Sequence, residues 1–269
     1  MQDRLNFRKI VLKAEIHPTA IVAPGAKLGW GVKIGPYSVI GESVELGDGC
    51  VVGPHVLIEG RTTIGQNNVF HHGASIGGVP QDLNYSGGVS FLVIGDDNRF
   101  REHCTVHIAT NEGASTKIGS NCFMMAYSHV AHDCQIGDHV ILSNSVNLGG
   151  FVFMDDFSIV GGVAPVHQYV RIGKHAFVGG GSRIERDIPP FIKAAGSPTR
   201  AYGINSVGLN RRGFTPERRA MIKDIFNLLY RSNLNVTQVL ERLRNGSFAD
   251  PERQIFVDFL EASQRGITK

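Results

Sequence analysis

Apolar residues recur at every sixth position from Ile16 to Ile184, and of the twenty-nine positions on that beat only Asp82, Gly88 and Glu112 are not apolar. A helix repeats every 3.6 residues and a strand every 2, so neither alone produces this beat and a larger unit must repeat. Glycine commonly follows the beat residue, as in Leu28-Gly29, Ile34-Gly35, Ile64-Gly65, Ile94-Gly95, Ile136-Gly137 and Ile172-Gly173. A large aliphatic side chain beside a residue that turns tightly suits a short strand running into a corner. The position four further on is mostly small (Ala20, Ala26, Ser38, Cys50, Thr62, Ala74, Ala164, Ala176), so each hexad offers one large and one small inward group. Three strands and three corners close a triangular coil, and roughly nine coils stacked about 4.8 Å apart make a rod on the order of 45 Å long.

Two stretches depart from the pattern without losing the frame. They lie near 80–92 and 108–117 and are rich in Gly, Ser and Asn. Coil positions are committed to stacking, so such excursions are where a solenoid carries binding groups. The beat ends near Asp187-Ile188-Pro189-Pro190, where two prolines stop regular pairing, and a helical period follows. Thr215-Pro216-Glu217 reads as a cap with proline at the first helical position, leading into Met221, Ile222, Ile225, Leu228 and Leu229. A second helix is predicted over Val236 to Arg244, stopping at Asn245-Gly246, and a third from Asp250-Pro251-Glu252 carrying Phe256, Phe259 and Leu260. The expected organisation is an N-terminal extension (1–15), the coiled body (16–188), and a linker with a C-terminal helical domain (189–269).

Composition adds three constraints. The formal net charge is only +3, but Arg183 to Arg231 carries a local excess of six positive charges. That patch suits an acidic protein, a nucleotide phosphate, nucleic acid or a membrane surface, or is simply a solvated helix face. All four cysteines (Cys50, Cys104, Cys122, Cys134) fall in the small inward slot with no CxxC spacing, which predicts packed, unreactive thiols. The first fifteen residues lack the apolar core of a signal peptide and no stretch is long enough to span a bilayer, so a cytoplasmic protein is expected.

The chain has eleven histidines, clustered around the two excursions and the coils after them. None takes an inward slot. The densest chemistry is Ser128-His129-Val130-Ala131-His132-Asp133-Cys134, where Val130 and Cys134 point inward and His129 and His132 therefore point out. An imidazole takes a proton near neutral pH, and an adjacent carboxylate fixes its tautomer and stabilises the imidazolium. The same residues also read as an exposed histidine pair, and either His129 with His132 or His103 with His107 as zinc ligands shared between subunits.

The hexads together with Gln81-Asp82-Leu83-Asn84-Tyr85, the segment 129–134, Val166-His167-Gln168, Asn205 and Gly208 to Phe214 resemble the acyl-carrier-protein-dependent UDP-N-acetylglucosamine O-acyltransferases that begin lipid A synthesis. The resemblance covers nearly all of the chain after the first fifteen residues. It implies an all-β left-handed parallel β-helix with a C-terminal α-helical domain, and the handedness rests on it alone, since parallel crossovers are normally right-handed. It further implies a homotrimer with sites between subunits, an acyl carrier protein as donor and a UDP-sugar as acceptor, with no cofactor, metal or nucleic acid. His132 becomes the general base, Asp133 its orienting partner, His129 an assistant and the Gly150 N–H the oxyanion donor. Gln81, Asp82, Asn84, His107, His167, Gln168, Asn205, Arg211 and Arg212 become substrate-binding residues, with the two arginines also facing the carrier protein. Gly180 matches the position that limits acyl-chain length.

Four departures stand out. The family commonly has lysine at Asn84, histidine at Phe151, glutamate at Val207, and HRGT where this chain has His107-Ile108-Ala109-Thr110. The base, its aspartate and the glycine stay, while most departures fall on groups the resemblance assigns to the nucleotide sugar, so an altered acceptor is expected, such as the 3-amino analogue of UDP-N-acetylglucosamine. The alternatives are the related UDP-3-acyl-glucosamine N-acyltransferase, a β-helical zinc carbonic anhydrase and a non-catalytic scaffold.

Overall fold

The computed structural model describes residues 14–245 and 251–269. Residues 1–13 of the extension lie outside the described residues, as do Gly246 and Asp250 of the expected helix boundaries. Each short strand pairs in parallel with the strand three further on, which builds three long sheets, one per face of the prism. Successive coils are offset by eighteen residues, as in Glu15↔Lys33 and His129↔Asn147.

The offset grows to thirty at Val69↔Arg99 and to twenty-four at Arg99↔Phe123. The two excursions therefore add twelve and six residues to their coils, both multiples of six. This is why the frame survives them and why Asp82, Gly88 and Glu112 break the beat: all three lie in the excursions. The first leaves the strand Ser75–Gly78 and returns at Phe91–Ile94; the second leaves Thr105–His107 and returns at Ser115–Ile118. These strands join the same two sheets, so both loops emerge at one edge of the prism.

Beat and small-slot residues fill the prism, from Val32 and Ile34 through Ile58, Phe100, Leu142 and Val178 to Ile188. The four cysteines lie among them, free and buried. Polar groups in the small slot are saturated: Asn98 donates to Gly119 O (2.9 Å) and accepts from Cys122 N–H (2.7 Å), while its own N–H reaches Asn68 Oδ1 (3.0 Å). The corners also explain several histidines. His55, His103, His139 and His175 sit at corner positions with φ of 55–57°, and rings stack from coil to coil, as in His139–Phe157–His175–Phe191 with centroids 4.5–5.6 Å apart.

Strand structure runs beyond the expected boundary at 188. After the two prolines turn a further corner, Ile192–Ala195 pairs in parallel with Phe177–Val178 and antiparallel with Arg200–Ile204. Four helices follow: α1 (Ser206–Arg211), α2 (Pro216–Tyr230), α3 (Val236–Arg244) and α4 (Pro251–Ala262). The start of α2 and the bounds of α3 agree with the sequence reading; the short α1 and the hairpin before it were not anticipated. Thr215 accepts the N–H of Arg218, and Asn235 with Gln238 forms a reciprocal capping box. Phe191 and Ile192 of the last coil pack with Leu209, Ile222, Phe226, Phe256 and Leu260, so one apolar cluster fastens the helices to the end of the prism.

Candidate active site

The edge that emits both loops also carries His132-Asp133 and, one coil further on, Gly150-Phe151. The strand His129–Val130 ends there, and Asp133 makes the turn with φ of 59° before Gln135–Ile136 begins. His132 Nδ1 lies 2.8 Å from Asp133 Oδ2, and both residues are nine-tenths buried outside the prism. The same carboxylate oxygen accepts the N–H of Thr110 from the second excursion (2.9 Å), and the Asp133 N–H is held by Thr116 Oγ1 (2.8 Å). An acceptor at Nδ1 makes it the protonated nitrogen, which leaves the Nε2 lone pair as the basic position.

Three groups surround that position. Asp82 Oδ2, from the first excursion, is 3.8 Å from Nε2. Phe151 meets the imidazole edge-on at 90°, with centroids 5.4 Å apart, and is itself stacked on Tyr169 at 4.7 Å. Gly150 lies so close that a Cβ there would stand 2.5 Å from His132 Cε1 and 2.6 Å from Nε2, so no larger residue fits without moving the ring. Gly150 is buried, and among the described residues its N–H donates to no protein acceptor. A buried backbone donor without a partner is rare, and beside a base it is available to a developing oxyanion.

His129 and His107 occupy successive coils on the adjoining face, edge to face at 4.8 Å. His129 Nδ1 pairs with Thr105 Oγ1 at 2.7 Å. Burial, with lesser repulsion from His107 and His132, pushes the His129 pKa down to about 4, and burial then His132 lowers that of His107. Both are therefore neutral at pH 7. His107 Nδ1 and Thr110 Oγ1 are buried without partners, which leaves two polar atoms of the second excursion's coil available to a ligand.

The remaining expected residues are more dispersed. Gln81 and Asn84 lie exposed on the first excursion, and Asn84 contacts Asp82. His167 and Gln168 form the exposed corner of the coil above Gly150. Asn205 is buried with its amide engaged, donating to His175 O (3.0 Å) and capping α1 through the Gly208 N–H. Arg212 lies over the Phe157 ring at 4.1 Å, fastening α1 to the prism. Arg211 instead lines a cavity of about 430 Å³ between α1 and the prism, with Asn205, Lys193, Ile159, Phe177 and Val207. Gly180 forms a corner directly above Gly162, whose carbonyl oxygen would be 3.1 Å from a Cβ at 180. Sequence reasoning did not anticipate Thr110 as a backbone donor, nor Lys193, Ile159 and Phe177 as cavity lining. The first depends on where a loop returns; Ile159 and Phe177 sit at ordinary outward positions of their hexads, and Lys193 lies beyond the last hexad.

Residues 115–150 match the family described as bacterial transferase hexapeptide (six repeats), and 187–268 match the second domain of UDP-N-acetylglucosamine O-acyltransferase. Fold and site thus define a hexapeptide-repeat transferase. The acyl-[acyl-carrier-protein]–UDP-N-acetylglucosamine O-acyltransferase of Burkholderia lata is 47% identical over 259 residues, 94% of this chain and 99% of that protein. That of Synechocystis sp. is 49% identical over 252 residues, covering 94% of this chain and 91% of the relative. The structure of LpxA from Acinetobacter baumannii superposes with a TM-score of 0.91 at 40% identity, over 94% of this chain and 99% of that one. This chain belongs to the acyl-carrier-protein-dependent UDP-N-acetylglucosamine O-acyltransferase family.

Proposed function

We propose that this protein transfers a 3-hydroxyacyl group from acyl carrier protein to the 3-hydroxyl of UDP-N-acetylglucosamine, the first step of lipid A synthesis, with His132 as general base. The observation that carries this reading is the His132–Asp133 pair set against the unpartnered N–H of Gly150. In the reaction the sugar hydroxyl gives its proton to Nε2 and its oxygen attacks the thioester carbon. The carbonyl oxygen, now anionic, turns toward the Gly150 N–H, a type of contact whose loss costs about 3 kcal/mol of transition-state stabilisation. Collapse breaks the C–S bond, and the imidazolium returns its proton to the departing thiolate. The imidazolium is stabilised meanwhile by Asp133, itself oriented by the Thr110 N–H.

No covalent enzyme intermediate is required. Burial pushes the Cys122 and Cys134 thiols up to about 12, far from a reactive thiolate. His129 and His107, neutral, serve as hydrogen-bonding groups for the reactants. Arg211 and Lys193 place positive charge around the apolar α1 cavity, which suits a phosphate-bearing linear group such as the carrier's pantetheine arm. Gln81, His167, Gln168, Asn205 and Arg212 are assigned to the nucleotide sugar on the resemblance alone, and Gly180 to the end of the acyl chain on the same ground; Asn84 contacts Asp82 and is not assigned to the sugar.

A homotrimer is part of this reading. Tyr37, Tyr127 and Val163 leave 60–69% of their surface exposed along one prism edge, which a neighbouring subunit would cover. Among the described residues no helix is long and apolar enough to cross a membrane. A carrier protein and a nucleotide sugar as co-substrates suit a cytoplasmic enzyme.

The relatives compared above are named for UDP-N-acetylglucosamine, which favours that acceptor over the 3-amino analogue. The N-acyltransferase and carbonic anhydrase alternatives gain no support either, because the matched second domain is that of the O-acyltransferase. Mass spectrometry of products from UDP-N-acetylglucosamine, its 3-amino analogue and a panel of acyl carrier proteins tests the assignment. An ester on the 3-hydroxyl is expected; acylation of the amino analogue alone would contradict it.

A further inference from the structure

We propose that Asn84 is a positioning residue for the reaction: it holds the Asp82 carboxylate toward His132 Nε2, so that the imidazolium formed during acyl transfer lies between two carboxylates. The inference rests on the reading of His132 as the base.

The first excursion turns tightly at Asp82. Tyr85 N–H donates to Asp82 O (3.0 Å), and Asp82 Oδ1 accepts both the Asn84 backbone N–H (2.9 Å) and its side-chain amide (3.1 Å). This is an Asx turn whose side chain is clamped from two directions. With Oδ1 so occupied, Oδ2 is left pointing at His132 Nε2, 3.8 Å away. That separation is too long for a hydrogen bond and too short to hold an atom on the line between the two groups. An acceptor hydroxyl set to one side of that line would reach Nε2 and Oδ2 together.

As the proton moves from that hydroxyl onto Nε2, the new N–H and its positive charge face Oδ2, while Nδ1–H remains on Asp133 at 2.8 Å. His132 is buried and Asp82 partly so, which strengthens the attraction beyond that in open water. Asp82 thus favours the state in which the base has taken the proton, without itself taking one. Asn84 has no described contact with His132; it acts through Asp82.

A double-mutant cycle separates this role from direct sugar binding. Asn84→Ala is expected to lower kcat about tenfold, the loss of one hydrogen bond to a charged group, with KM for UDP-N-acetylglucosamine within about twofold. Asp82→Asn should lower kcat at least as far. In the Asp82→Asn background the Asn84→Ala change should cost less than about twofold, because the charge it positions is gone. Asn84→Ser, which keeps a donor in reach of Oδ1, should recover most of the rate. Asn84 is exposed on a loop, so melting temperatures should match the parent.

A raised KM with unchanged kcat in Asn84→Ala, or costs that multiply in the double variant, would overturn the proposal. If His132→Ala is inactive in that case, the base assignment survives and only the role of Asn84 falls. An active His132→Ala would remove the reading beneath it.

Discussion

At the scale of single residues, the site depends on what Gly150 lacks. Gly150→Ala puts a methyl group 2.5 Å from the His132 ring, so the ring must turn from Asp133 or the corner must shift. We expect kcat to fall by a factor on the order of one hundred with little loss of thermal stability, checked by steady-state kinetics beside a melting curve. His175 makes a different prediction. It is buried between Phe157, Phe191 and Phe214, and burial first, then Arg212 and Lys174, drives its pKa down to about 4. The unfolded chain binds a proton near pH 6.5 that the folded one refuses, so this contribution is intact above about pH 6.5 and declines as the pH falls toward 4. The loss is on the order of 3 kcal/mol for His175 and adds to that of His129. His175→Phe should flatten the fall in melting temperature between pH 7 and 4.5, whereas an unchanged slope would place the sensitivity elsewhere.

At the scale of elements, what stacks was legible and what folds back was not. Each hexad writes its own strand and corner, so the coil, its inward slots and even the frame across both loops follow from local sequence. Asn98 shows the energetics of one slot: Asn98→Ala strands the Cys122 N–H and the Gly119 carbonyl inside the prism. A cost of about 2 kcal/mol is expected, read as a lower melting temperature with activity retained at 25 °C. Helix α2 was legible because Thr215-Pro216 starts it, and α3 because Asn245 stops its run. The hairpin 192–204 and α1 were not, because Pro189-Pro190 reads as a terminator although it serves as one more corner, and six residues are too few to show a period. At the site, His132, Asp133 and Gly150 were legible from repeat position and resemblance, whereas the Thr110 N–H and the Asp82 carboxylate reach the base only through the return paths of two loops.

At the scale of the whole molecule, the prism is a ruler that sets its loops and corners at fixed heights. Both excursions add multiples of six and leave from the edge that holds His132, so the stacking that builds the core also assembles the site. The site lies outside that core, while Tyr37, Tyr127 and Val163 stand exposed on a different edge of the prism, and a homotrimer belongs to the account because a neighbouring subunit would cover them. Light scattering after gel filtration should give three times 29.2 kDa. The central claim is that His132 removes the proton of the acceptor hydroxyl, and the most direct measurement is the turnover of 3-hydroxyacyl carrier protein with UDP-N-acetylglucosamine by the parent and by His132→Ala, each verified as folded and of the same assembly. The account predicts a 3-O-acyl product from the parent and a rate lower by at least about one hundredfold in the variant; a variant within tenfold of the parent would contradict it.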